Sequence, residues 1–121
     1  MNPKRYRSSN REYLFAEEGC YITELANSPE DPAVSVARAR VKPGVTTSWH
    51  SIENTTERYV ILSGEGMAYA GNQPPCKMTP GDTLIIPPSC PQRIANTGKE
   101  DFVFLAVCTP RFRPENYRNL D

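Results

Sequence analysis

The chain has 121 residues, room for one domain that buries about 65% of its unfolded surface and too few for a second. Its fourteen basic and fourteen acidic side chains cancel, which argues against a nucleic-acid or anionic-membrane partner and leaves a small-molecule ligand as the partner expected. The longest apolar stretch without a charge, Phe102 to Cys108, is too short to cross a bilayer, and the Arg-rich start from Met1 to Arg11 lacks an apolar core, so a cytoplasmic location is expected.

Residues 1–18, with Lys4, Arg5, Arg7 and Arg11, read as a loosely docked amino-terminal tail. From residue 19 onward, prolines and glycines cut the chain into short segments that alternate or run apolar in the manner of strands rather than at helical spacing. The strands predicted are Cys20 to Ala26, Val34 to Val41, Thr46 to Ser51, Arg58 to Leu62, Gly66 to Ala70, Thr83 to Ile86, Gln92 to Ala95 and Phe102 to Val107. Turn clusters such as Lys42-Pro43-Gly44, Ser63-Gly64 and Thr79-Pro80-Gly81 separate them. Eight short strands in residues 19–109 point to an all-β double sheet, the jelly-roll barrel that leaves few unpaired edges. Residues 110–121 form a carboxy-terminal flap, helical or extended, in which Pro114 suits the first turn of a short helix. Cys20, Cys76, Cys90 and Cys108 are widely spaced with no C-x-x-C pair, as expected of free thiols.

Two spaced series stand out. Gly44, His50, Ile52, Glu57 and Gly64 are separated by five, one, four and six residues, and Gly81, Pro87, Ser89, Gln92 and Asn96 by five, one, two and three. In this the chain resembles the small single-domain bacterial cupins, whose two signature blocks carry His at the places of Ile52 and Gln92 and Gly at that of Ser89. The resemblance implies a jelly-roll cupin barrel in which His50, Glu57 and Gln92 meet across the cavity and hold a divalent metal. It also implies a homodimer joined at sheet edges. Mn, Fe or Zn is the cofactor considered; one imidazole, one carboxylate and one amide oxygen, with an isoleucine in the fourth place, lower the affinity for ions that favour imidazole, Zn among them, and shift the preference toward Mn or Fe(II).

The residues add their own expectations. His50 and Ile52 leave the same face of one strand, and Tyr59 and Ile61 share the face of Glu57 on the next. Arg38 and Arg40 alternate along their strand and reach either the cavity, to bind a carboxylate or phosphate, or solvent. Tyr59 and Tyr69 are expected as cavity walls, whereas Trp49 and Arg93 face away from it. Three functional readings follow: a metal-dependent enzyme acting on an organic acid, sugar or related metabolite; a metal-free isomerase or dehydratase with His50 and Glu57 as acid and base; and a non-enzymatic small-molecule-binding module.

Overall fold

The computed structural model describes residues 2–7 and 11–121. Residues 1 and 8–10 of the expected tail lie outside the described residues. The strands are β1 (Tyr13–Phe15), β2 (Cys20–Ala26), β3 (Ser35–Val41), β4 (His50–Ile52), β5 (Thr56–Ser63), β6 (Gly66–Ala70), β7 (Cys76–Met78), β8 (Thr83–Ile86), β9 (Gln92–Asn96), β10 (Phe102–Thr109) and β11 (Tyr117–Asn119), with one 3-10 turn at Pro114–Asn116. They form the expected all-β jelly roll of two antiparallel sheets, a larger one in the order β1-β2-β3-β10-β5-β8 and a smaller one in the order β11-β4-β9-β6-β7. No helix among the described residues is long and apolar enough to cross a membrane.

Alternation decides which side chains enter the space between the sheets. In β10, Phe102, Phe104 and Cys108 are buried, and their partners Val41 and Ala39 on β3 and Ile61 and Glu57 on β5 point the same way. Phe102, Phe104, Tyr59, Ile61, Ile86, Ile94 and Met78 form the dense half of the core, so Phe102→Ala would cost about 3–5 kcal/mol. The motif glycine Gly64 turns the chain with φ +80, and a Cβ there would sit 2.4 Å from the carbonyl oxygen of Asp101. Asn96 closes the second motif by donating to the carbonyls of Val41 and Glu100 and accepting from the Gly98 amide.

Three strands escape the sequence reading. β1, β7 and β11 are three residues each and mostly exposed, too short for alternation to show. β1 lies inside the segment read as a tail, and β11 adds the flap to the smaller sheet, so the sheets extend beyond residues 19–109 at both ends. The expected strand at Thr46 to Ser51 is ordered as β only from His50. Before it, Ser48 and Trp49 donate their amides to Glu18 and Asp121 rather than to a ladder, leaving Thr46 in one isolated bridge to Ala95. All four cysteines are free.

Candidate functional site

Beside the aromatic core, with Tyr59 and Phe104 shared between the two, the sheets part around a cavity of about 380 Å³. Ala37 and Ala39 on β3 and Ala106 on β10 make its floor, and these small side chains leave the room that bulkier residues fill elsewhere. Phe15, Ile22, Ile52, Phe104, Phe112 and Tyr117 give apolar walls. Its polar groups are Glu17, Glu18, Glu24, Glu57, Ser35, Tyr13, Tyr59 and Tyr117, with no lysine or arginine in the lining among the described residues.

Glu57 enters this cavity from β5. It is 7% exposed, its Oε2 lies 3.9 Å from the thiol sulfur of Cys108, and its Oε1 has no hydrogen-bond partner. Burial pushes its pKa up to about 8 and the nearby Glu18 carboxylate pushes the same way, outweighing the polar groups of Gln92, Tyr59 and Cys108, so Glu57 is largely protonated at neutral pH. Burial likewise holds the Tyr59 and Tyr117 hydroxyls and the Cys108 thiol above their ordinary values, keeping them proton donors. The Tyr117 hydroxyl is buried with no partner, a second polar atom left open in the cavity wall.

His50 is 2% exposed and has both ring nitrogens engaged, Nδ1 at 2.7 Å from the Ser48 carbonyl oxygen and Nε2 at 3.3 Å from Oε1 of Glu18. The carbonyl can only accept, so Nδ1 carries a proton, and Nε2 faces the Glu18 carboxyl. The ring stacks on Tyr117 at 5.3 Å and 18°. Glu18 also accepts from the Cys20 thiol through Oε2 at 3.1 Å. This carboxylate therefore stands between the histidine and the cavity, held at both oxygens.

Gln92 is the cross-strand partner of His50, and its amide oxygen accepts a short hydrogen bond from the Tyr59 hydroxyl. His50, Glu57 and Gln92 are thus brought to one region, but not as a set of free donors. His50 is bound at both nitrogens, the Gln92 oxygen is taken, Ile52 offers none, and Glu57 holds its proton until about pH 8. The donor set does not fit a resident divalent ion, and no cluster of three or more His, Cys, Asp or Glu suited to one occurs among the described residues. The expected Mn, Fe or Zn centre has no support in this arrangement.

Of the expected wall residues, Ile52 and Tyr59 line the cavity. Ile61 follows Tyr59 on the same face but is buried in the aromatic core, paired with Phe104, and does not reach the cavity. Tyr69 pairs with Arg93 across β6 and β9 and so leaves the opposite face to Gln92, where Arg93 packs over Trp49 and Tyr69. Arg38 and Arg40 take the solvent side, because their neighbours Ala37 and Ala39 take the inner one. Arg40 there bridges Glu12 and Asp101. Glu18, Glu24 and Tyr117 were missed because they belong to segments read as a tail, an ordinary strand and a flap. The one signal was Gly19 after paired glutamates, which marks a turn (φ +92) that presents Glu18 inward.

A family profile described as Cupin domain matches residues 37–108. An uncharacterized protein of Methanocaldococcus jannaschii is 31% identical over 107 residues, covering 87% of this chain and 85% of that protein. A glucose-6-phosphate isomerase of Pyrococcus abyssi is 36% identical over 63 residues, 49% of this chain but 33% of that protein. Among solved structures, the nucleoside dehydratase Pac13 superposes with a TM-score of 0.77 at 19% identity, over 97% of this chain and 92% of its own. A variant of the same Streptomyces protein with uridine gives 0.77 at 18%. The formate complex of Lactobacillus farciminis oxalate decarboxylase gives 0.77 at 20%, over 91% of this chain and 33% of that one.

Proposed function

The chain belongs to the cupin family, and since that fold hosts unrelated chemistries we propose, from the cavity's own side chains, metal-independent proton transfer that isomerises or dehydrates a small polyhydroxyl or carbonyl compound of sugar or nucleoside type. The observation that carries this reading is a pair of carboxyl groups opening on one cavity with different partners. Glu18 is held by His50 and Cys20, and Glu57 is buried with one oxygen free. Two titratable groups in contrasting environments are what acid and base roles require. A sugar-nucleoside substrate class agrees with the isomerase and nucleoside dehydratase among the similar proteins. Organic acids and phosphates fit the cavity poorly, since nothing basic lines it.

In this reading Glu18 takes a proton from a substrate carbon and shares it with Nε2 of His50. The bonding pair left behind forms the new double bond. For dehydration the carbon–oxygen bond to a neighbouring hydroxyl breaks, its electrons stay on oxygen, and Glu57 gives that oxygen its proton so that water leaves. Solvent then returns a proton to Glu57 and removes one from the Glu18–His50 pair. For isomerisation Glu57 gives its proton to the carbonyl oxygen as Glu18 takes the proton from the neighbouring carbon, leaving an enediol; Glu57 then takes back a proton from the other hydroxyl as the Glu18–His50 pair returns its proton to the former carbonyl carbon. His50 is a positioning residue here, because Tyr117 and Glu18 cover its ring. The Tyr117 hydroxyl holds a substrate oxygen.

Proton NMR in D2O with chelator, over a panel of nucleosides and aldoses, tests it. Loss of a carbon-bound proton signal from at least one compound is expected with the native protein, falling about a hundredfold or more in Glu57→Gln and in Glu18→Gln. Exchange that survives in both variants, or that needs added metal, defeats the proposal.

A further inference from the structure

The cavity's charge is lopsided. Glu17, Glu18 and Glu24 line it beside Glu57, which keeps its proton at neutral pH, and among the described residues the lining holds no lysine or arginine; His50 is set against Glu18. Glu24, exposed to solvent, lines the cavity from β2, where it pairs with Ala37. Burial alone raises its pKa, with no basic side chain contributing. Tyr13, Phe15 and Tyr117 are among the six aromatic side chains that share these walls. Carboxylates beside ring faces and no competing cation are the surroundings in which an organic ammonium gains both charge-assisted hydrogen bonds and attraction to the ring faces. An anion in the same place meets repulsion, and a divalent metal finds no cluster of three His, Cys, Asp or Glu suited to it among the described residues. Glu57, a residue of this same lining, also has a buried Oε1 without a hydrogen-bond partner, an unmet polar atom that a bound ligand would satisfy.

We infer that the substrate is an amino compound, a polyhydroxyl or nucleoside-like molecule whose protonated amine seats at Glu24 and Tyr13 near the mouth while its reacting carbon lies between Glu18 and Glu57. The inference rests on the cavity's being the substrate site and names the charge of what enters. A hydroxyl counterpart loses the charge-assisted bond to Glu24, and a uronate adds repulsion.

Isothermal titration of the full-length, metal-free protein in chelator at pH 7 tests this with matched probes: 3′-amino-3′-deoxyadenosine against adenosine, and glucosamine against glucose and glucuronate. At least one amine is expected to bind roughly tenfold more tightly than its hydroxyl counterpart. That advantage should shrink several-fold between about 50 mM and about 500 mM salt. Glu24→Gln should erase the amine-to-hydroxyl ratio, which a general loss of folding would not move selectively, and Glu24→Asp should keep most of it. Equal affinity within both pairs, tighter binding of glucuronate, no binding of either amine up to about 10 mM, or a ratio untouched by Glu24→Gln overturns the inference. Failure here leaves solvent-exchange activity intact, whereas failure of the proposed chemistry removes that activity whatever the amine preference.

Discussion

A protonated carboxyl at Glu57 makes the fold itself sensitive to pH. Its pKa rises from 4.5 to about 8 on folding, so the native state binds more protons than the unfolded chain between those values. The stability it contributes is complete below about 4.5 and declines as pH rises toward 8, above which the full cost of a buried charge is felt. Glu57→Gln removes that dependence. Its Tm should exceed that of the native protein by at least about 5 °C at pH 9 and by much less at pH 5, read by thermal unfolding across that range. Tyr117 behaves differently because its hydroxyl is buried without a partner while its ring stacks on His50. Tyr117→Phe keeps the stack and drops an unsatisfied group that costs about 1–3 kcal/mol. Thermal stability should hold or rise while affinity for the substrate falls about tenfold; a variant that loses stability and keeps affinity would remove Tyr117 from the site.

Among the elements, β6 depends on close approach rather than on side-chain bulk. A Cβ on Gly66 would lie 2.6 Å from the Ala95 carbonyl oxygen and 2.7 Å from the Phe102 ring, both on buried residues. Gly66→Ala should lower unfolding free energy by roughly 2 kcal/mol or more, measured by urea denaturation, because neither the β9 backbone nor the packed ring can yield cheaply. The short β11 has the opposite character. Arg118 holds Glu53, Asn119 holds the Glu17 carbonyl, and the Trp49 amide meets Asp121, all near the surface. Through this strand a segment that reads as a charged flap delivers Tyr117 to the cavity. A three-residue strand carries too little alternation to announce itself, and its pairing with β4 is a contact between residues far apart in sequence.

For the molecule as a whole, the arrangement predicts weak metal retention. Purified protein without an affinity tag, stripped with chelator and gently loaded with Mn, Fe or Zn, should carry less than about a tenth of an equivalent by elemental analysis. One equivalent held tightly would show that the pairs His50–Glu18 and Gln92–Tyr59 yield to a metal. The apolar floor of small alanines and the acidic walls divide the labour between shape and charge.

Motif spacing and period-2 alternation were enough to read the jelly roll, most strand positions, and Glu57, Ile52 and Tyr59 as inward-facing, because a strand's side-chain direction is a local property. Gly66 to Ala70 and Thr83 to Ile86 match their strands residue for residue. Local pattern does not say which partner a polar atom finds. The pairing of His50 with Glu18 instead of Glu57, the capture of the Gln92 oxygen by Tyr59, the outward turn of Tyr69, and the entry of Glu24 and Tyr117 follow from strand order and register. Those are set when distant segments close on one another, and that closure engages the expected metal-ligand side chains His50 and Gln92 with Glu18 and Tyr59 instead.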